Sequence, residues 1–294
     1  MSTESETLAY AAPRASVLKR VARFLDRYLL YIYTGFAILY LMLPIAVMAV
    51  FSFNDPPGKS NLAWHAFTLD AWLNPFGVPG LLDVVITSLS IAFISTFAAT
   101  ALGTLIALAL VRYNFRGKAA TNALIFLPMA TPELVLGASL LTLFVAIGAP
   151  PFFPTNFLTI LIAHIMFNIS YVVVTVRARL QGFDRHLEEA AMDLGANPWL
   201  TFWKVTFPLI LPGIMAAAVL AFSLSIDDYV ITSFTAGRTS TFPIYIWGSS
   251  RIGIPVQVNV IGTAIFLIAV GFVAITTLVQ RRESGPRPAA AVEA

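Results

Sequence analysis

The chain has 294 residues, of which 58% are hydrophobic and only 11% are charged, and its mean hydropathy is +0.82. This composition excludes an ordinary soluble domain and is typical of a membrane protein. The absence of cysteine excludes disulfides, thiolate chemistry and cysteine-ligated metals.

Six stretches are apolar and long enough to cross a bilayer, for which about 20 residues suffice. They cover residues 28–54, 84–111, 119–148, 155–176, 213–236 and 256–280. We therefore predict an all-α integral membrane protein with a six-span domain over residues 28–280. Polar tails over residues 1–27 and 281–294 flank this domain, and the first span is expected to remain as a membrane anchor.

The distribution of lysine and arginine predicts the orientation of the chain, because positive charges near membrane ends are retained in the cytoplasm. With the N-terminus inside, the inside segments hold all the basic residues except Lys59, Arg238 and Arg251. Both termini are therefore expected in the cytoplasm. The same asymmetry accounts for the pI near 9.3, so the expected surroundings are membrane lipid and no nucleic-acid partner is expected.

Glu133 is an acid inside the predicted third span. An ionised side chain in a bilayer costs about 2.5 to 3.5 kcal/mol on insertion scales, so its presence suggests a function. At 1.5 Å per residue it would lie roughly 21 Å from the cytoplasmic end, slightly beyond the midplane. The alternative is structural: Thr131-Pro132-Glu133 is a helix-start sequence, and Glu133 would then complement the dipole of a helix that restarts after Pro128.

The three histidines, His65, His164 and His186, lack the spacing of metal ligands, so neither a metal nor a cofactor is expected. His164 stands alone on an apolar helix and is expected to be hydrogen-bonded inside the bundle or, alternatively, to line a transport pathway. No arrangement of nucleophile and base indicates an enzyme. Gly58-Lys59-Ser60 lacks the leading glycine of a phosphate loop, so no nucleotide site is expected in this chain.

A polar segment, residues 177–204, interrupts the apolar sequence after the fourth span. It predicts two short helices that meet at a glycine. Asp184 can cap the first helix and Gly195 can end it in a left-handed turn. Asn197 followed by Pro198 is a cap and first-turn start for the second helix. Such an elbow would project from the membrane, where a partner could bind it.

The spacing in and after this segment closely resembles the EAA signature of ABC importer permeases. It reads Glu189-Ala190-Ala191, then Gly195, then Val205-Thr206-Phe207-Pro208, with Val and Phe where the family more often has Ile and Leu. The resemblance implies a type I ABC importer permease fold with a core over about residues 81–280 and a coupling loop over residues 177–208. It also implies that a separate ATPase binds this loop at Glu189, Ala190, Ala191, Asp193 and Gly195. The alternative is an ordinary amphipathic loop helix.

Asp227 and Asp228 lie in the predicted fifth span, at about the depth estimated for Glu133. Neighbouring residues on a helix point about 100° apart, so only one of the two acids would face a central pathway squarely. The alternative role for these carboxylates is hydrogen bonding to a neighbouring helix.

A second resemblance covers the residues around these acids. Ser225-Ile226-Asp227-Asp228-Tyr229-Val230-Ile231-Thr232-Ser233-Phe234, with Thr241-Phe242-Pro243-Ile244-Tyr245-Ile246 and Arg251-Ile252-Gly253, is similar to spermidine/putrescine importer permeases. That family often has Pro-Glu before an Ile-Asn pair, where this chain has Val256-Gln257-Val258-Asn259. Acidic and aromatic side chains suit a linear polycation. The acids within the spans, with the aromatic residue that follows two of them, predict a substrate pathway that includes Asp227, Asp228, Glu133 and Tyr229.

These observations predict a permease subunit of an ATP-driven polyamine importer in the bacterial inner membrane. Its expected partners are a second permease subunit, an ABC ATPase dimer and a periplasmic binding protein. Alternatives are an importer for another solute, such as iron, a sugar or an oxyanion, and a stand-alone secondary transporter. The acids within the spans argue against an anionic substrate. Secondary transporters often contain inverted repeats with matching interrupted helices, and none is visible in the sequence.

Overall fold

A computed structural model of the chain describes residues 17–283, with side chains over 28–271 and at 274. This part of the chain is helical and contains no strand, only an isolated antiparallel bridge between Asn54 and Phe67. It divides into two compact units. The first comprises the described residues up to Pro75 and from Val256 onward, and the second is Phe76–Pro255.

The first unit contains α1 (Val17–Phe51), the short α2 (Asp70–Leu73) and α12 (Val256–Glu283). Helix α1 begins upstream of the predicted first span. It packs against α12, and a glycine allows a close approach there, since a Cβ at Gly262 would lie 2.8 Å from the sulfur of Met48.

The centre of the second unit is formed by α3 (Leu81–Arg112), α6 (Phe157–Gln181) and α9 (Phe207–Ile226), which pack on one another. Small and β-branched side chains allow the three backbones to come close. Fully buried examples are Ala99, Ala107, Val172, Val176, Ala217 and Ala221. Gly103 lies directly against Val172, because a Cβ at position 103 would be 2.7 Å from Cγ1 of the valine.

The predicted third span is interrupted rather than continuous. It consists of α4 (Lys118–Ala130) and α5 (Glu133–Ile147), whose axes differ by 111°. The break lies at Thr131 and Pro132, so the helix restarts after Pro128, at the start sequence Thr131-Pro132-Glu133, as expected. Pro128 stays within α4, and Thr131 is the first residue with extended backbone, as expected for the residue before a proline.

The predicted fifth span, residues 213–236, was wrong in both bounds. A continuous helical segment runs from Pro198 to Ile226 through α8 (Pro198–Thr201), a π-helical segment (Phe202–Thr206) and α9. The chain then breaks, and a short helix, α10 (Val230–Thr235), follows. Helix α11 (Phe242–Ile252) comes next and is the last helix of the second unit.

Four helices of the described part are long and apolar enough to cross a membrane, or five spans if α4 and α5 count as one. These four are Tyr28–Phe51, Leu81–Arg112, Phe157–Gln181 and Pro198–Ile226. Helix α12 begins where the predicted sixth span begins and has 28 residues. The six-span count and the cytoplasmic location of both termini remain predictions. Residues 1–16 and 284–294, where most of the predicted tails lie, are outside the described part.

Candidate functional site

The polar segment between α6 and α9 forms the predicted elbow. Helix α7 spans His186–Asp193, and the Asp184 carboxylate accepts a hydrogen bond of 3.0 Å from the His186 backbone N–H. Gly195 then adopts a left-handed conformation, with φ of +91°. This conformation favours glycine, because a Cβ would be strained there. The predicted cap and glycine turn are confirmed.

The second half of the elbow follows the predicted start but not the predicted length. Asn197 caps α8, since its side chain accepts a hydrogen bond of 2.8 Å from the Leu200 backbone N–H, and Pro198 is the first helical residue. Helix α8 does not end as a separate short helix. It continues through the π-helical segment into α9, so the elbow is joined rigidly to a core helix.

The two adjacent glutamates of α7 have different surroundings. The Glu188 side chain is only 16% exposed and forms an ion pair with Arg112 at the end of α3. It also accepts a hydrogen bond from Thr206 in the π-helical segment. The Glu189 side chain is 63% exposed and contacts only His186, at 3.1 Å, among the described side chains. Glu188 therefore anchors the elbow, a role that the sequence pattern did not single out, and Glu189 is the accessible acid.

Most other residues of the elbow are exposed to solvent, including large apolar side chains. Ala190, Asp193 and Gly195 are exposed, and Ala191 is half-buried. Leu194 is 91% exposed and Trp199 is 71% exposed. Exposed large apolar side chains next to small residues are typical of a surface that a partner covers.

The two predicted pathway aspartates lie in the break between α9 and α10, not on a helix, so the argument from a 100° rotation does not apply to them. Asp228 caps α10: its carboxylate accepts hydrogen bonds from the backbone N–H of Thr232 at 2.7 Å and of Ile231 at 3.3 Å. Thr232 Oγ1 also donates to it, at 2.6 Å. The side chain is only 8% exposed. The Asp228 carboxylate is thus used in hydrogen bonds that cap α10, whereas Asp227 is exposed.

His164 completes the surroundings of Asp228. It is 3% exposed, and its Nε2 lies 3.4 Å from the Asp228 carboxylate and 2.9 Å from Thr232 Oγ1. Its Nδ1 lies 2.7 Å from Ser225 Oγ. The prediction of a hydrogen-bonded histidine inside the bundle is confirmed. Its pairing with Asp228 was missed, because no local pattern relates residues so far apart in the chain.

Tyr229 stands beside an aromatic partner. Its ring centroid is 5.2 Å from that of Trp247 on α11, and the guanidinium carbon of Arg251 lies 5.8 Å from the centre of the Trp247 ring. Tyr229 is half-buried and Trp247 is 51% exposed. Asp227 is thus two positions before Tyr229, whose ring lies next to the exposed ring of Trp247.

Glu133 is the first residue of α5, directly after the break at Pro132, and it is exposed. The interpretation of this acid as a helix-start residue is confirmed in its geometry. Helix α5 packs against α10 at Gly137, where a Cβ would lie 3.4 Å from the Cα of Ile231. Helix α5, which follows the break in the third span, thus packs against α10, which follows the end of α9; the sequence did not predict this contact.

Comparison with known proteins assigns this chain to a family. The model of the family described as "binding-protein-dependent transport system inner membrane component" matches residues 99–284. This chain belongs to that family. The predicted resemblance to ABC importer permeases is thereby confirmed, and the match covers the elbow and both aspartates.

Relatives of known function resemble the chain over most of its length. The spermidine/putrescine transport system permease protein PotC of Haemophilus influenzae is 35% identical over 246 residues, covering 83% of this chain and 93% of the relative. The putrescine transport system permease protein PotI of Escherichia coli is 38% identical over 243 residues, covering 81% and 85%.

Solved structures support the fold. A chain in the crystal structure of a bacterial alginate ABC transporter, in complex with an alginate pentasaccharide-bound periplasmic protein, matches with a TM-score of 0.65. The sequence identity is 16%, and the match covers 92% of this chain and 98% of that one. The predicted all-α permease fold is confirmed, and this chain is a multi-pass membrane permease.

Proposed function

We propose that this chain is the permease subunit of an ATP-driven importer of polyamines such as putrescine and spermidine, located in the bacterial inner membrane. The names of the two relatives and the similarity of residues 225–234 to polyamine permeases support this substrate class. The observation that carries the proposal is an exposed carboxylate, Asp227, in a break at the end of an apolar helix, followed by the paired rings of Tyr229 and Trp247.

The chemistry of a polyamine fits these groups. Each ammonium loses hydration on entering the membrane, and a fixed carboxylate offsets that loss. The Tyr229 ring can attract a cation as well, whereas the Trp247 ring already has the Arg251 guanidinium 5.8 Å from its centre. Of the three predicted pathway acids, Asp227 is best suited, because Asp228 already caps α10 and faces His164. Glu133 is accessible but sits at a helix N-terminus, where the dipole also stabilises its charge.

The elbow is proposed to couple transport to ATP hydrolysis in a partner ATPase dimer. Glu189, Ala190 and Gly195 present charge, a small side chain and a sharp turn on an exposed surface. The ion pair of Glu188 with Arg112 ties this surface to α3, so a force on the elbow reaches the core helices directly. A second permease subunit and a periplasmic binding protein complete the proposed assembly.

Uptake of labelled putrescine and spermidine into vesicles that carry the whole complex tests the substrate proposal. Asp227→Asn should lower uptake at least tenfold, which corresponds to about 1.4 kcal/mol, without loss of complex assembly. Glu133→Gln should lower it less. Asp70→Asn, an exposed acid in the first turn of α2, is the matched control and should leave uptake unchanged. Unchanged uptake in Asp227→Asn would refute the proposed role of this acid.

A further inference from the structure

His164 is the centre of a buried chain of hydrogen bonds that joins four helices. The chain runs from Ser95 on α3 to Ser225 on α9, at 3.0 Å, and from Ser225 to His164 on α6, at 2.7 Å. It continues from His164 to Thr232 on α10, at 2.9 Å, and ends at Asp228. All four side chains before Asp228 are at most 5% exposed. Polar contacts shielded from water in this way hold their geometry strongly.

The donors and acceptors of this chain can be assigned at one end. The single hydroxyl proton of Thr232 goes to the Asp228 carboxylate, so Thr232 Oγ1 can only accept from the imidazole. His164 Nε2 therefore carries a proton and donates it toward Thr232 and Asp228. At the other nitrogen, Ser225 can donate to Nδ1, or it can accept from Nδ1 and donate to Ser95. The network is satisfied whether the imidazole is neutral or positively charged.

The imidazole contacts the chain on both sides of Asp227. Nδ1 bonds to Ser225, in the last turn of α9, and Nε2 faces Asp228, the next residue after Asp227. Asp227 itself has helical-type backbone angles, φ −99° and ψ −3°, and an exposed side chain. One rigid ring thus spans the point where α9 ends, and it fixes both flanks of the exposed acid.

We propose that His164 is a positioning residue for Asp227, which rests on the proposed role of Asp227 in polyamine transport. It acts by fixing Ser225 and Asp228, and it does not contact the substrate. Asp228 is held away from the substrate by its own hydrogen bonds to Ile231 and Thr232, with the His164 ring 3.4 Å from its carboxylate. The break is held in place by side chains, since no proline or glycine occurs between Ser225 and Thr232.

A double-mutant cycle on polyamine uptake by the whole complex tests this role. His164→Leu removes both contacts and should lower putrescine uptake about fivefold or more, within the range of coupling between residues in one network. If the loss acts through Asp227, the His164→Leu/Asp227→Asn double variant should transport as much as Asp227→Asn alone. Asn168→Leu is the control, because Asn168 is buried on α6 and makes no side-chain hydrogen bond. It should leave uptake near that of the unchanged protein.

A chemical probe provides a second readout that does not require transport. The chain has no cysteine, so Asp227→Cys introduces one reactive site in the break. A small positively charged methanethiosulfonate reagent should modify it at a rate that changes at least threefold when His164→Gln is added, and that does not change with Asn168→Leu. If the His164→Leu variant fails to assemble into the complex, the comparison of labelling rates between His164→Gln and Asn168→Leu tests the positioning role instead.

The possible outcomes separate the two proposals. The positioning role would be overturned if the two substitutions reduce uptake independently, so that their fold-reductions multiply in the double variant. It would also be overturned if His164→Gln leaves the labelling rate unchanged. Either result would leave the polyamine proposal intact. Full uptake in Asp227→Asn would overturn the proposed function of the acid itself. A loss in His164→Leu that disappears in the Asp227→Asn background, together with altered labelling, supports the positioning role.

Discussion

The guanidinium of Arg112, the last residue of α3, forms an ion pair with the carboxylate of Glu188 in the first turn of α7. Arg112 also donates a hydrogen bond of 3.3 Å to Thr206 in the π-helical segment. Three segments therefore meet at one half-buried pair. This contact connects the elbow, which is proposed to bind the ATPase, with the helix that packs most closely against α6.

The first prediction concerns this ion pair. Glu188→Gln should loosen the elbow by about 1 kcal/mol, because a partly buried ion pair is weakened and its geometry lost. Limited trypsin digestion of the purified complex, which can cleave at Arg185 and Lys204, should then be several times faster. Glu189→Gln is the control, since that side chain is mostly exposed. Equal digestion of Glu188→Gln, Glu189→Gln and the unchanged protein would contradict the anchoring role.

The second prediction concerns the exit from α7. Gly195→Val should strain a residue at φ +91° by about 1 to 2 kcal/mol and redirect the chain toward α8. Glu189→Lys should reverse the charge of the accessible acid. Both variants should insert in the membrane but retain less ATPase on affinity purification. Gly182→Val is the matched control, because Gly182 has φ −88° and no side chain close to its Cβ position. Full ATPase retention in both test variants would place the contact elsewhere.

The third prediction concerns membrane topology, which is predicted from the distribution of lysine and arginine residues. The absence of cysteine allows single exposed positions to be labelled. In spheroplasts, a membrane-impermeant maleimide should react with Lys59→Cys and Arg238→Cys and should not react with Arg116→Cys, which lies in a predicted inside segment away from the elbow. All three residues are exposed in the structure. After detergent permeabilisation all three should react, and the reverse pattern in intact spheroplasts would show that the orientation is inverted.

The fourth prediction concerns the close packing of α3 on α6. In Gly103→Ala the new methyl group would lie 2.7 Å from Val172 Cγ1. This overpacking should lower the stability of the protein by about 1 to 3 kcal/mol. The higher helix propensity of alanine should offset up to about 1 kcal/mol of that loss. The temperature at which the purified complex aggregates should fall. Val172→Ala in the same chain should restore part of the loss. Gly248→Ala is the control, because nothing lies within 4 Å of the new atom, and it should leave the aggregation temperature unchanged.

Much of the local structure could be predicted because its causes lie within a few residues of one another. The cap at Asp184, the left-handed turn at Gly195 and the helix start at Asn197 and Pro198 each depend on contacts within four positions along the chain. Apolar length alone indicated the helices α3 and α6, whose ends lie within five residues of the predicted bounds. The elbow could be predicted from its sequence for the same reason.

The division of roles among the acids could be decided only by the tertiary structure. Nothing in the sequence near Asp227 marks the end of α9, and the residue that bonds to both sides of the break, His164, is 61 positions before Ser225 and 68 before Thr232. The difference between Glu188 and Glu189 depends likewise on Arg112, which is 76 positions before Glu188. Sequence determined which ionisable groups enter the membrane region and the elbow. Packing determined which of them contact a distant residue and which remain exposed.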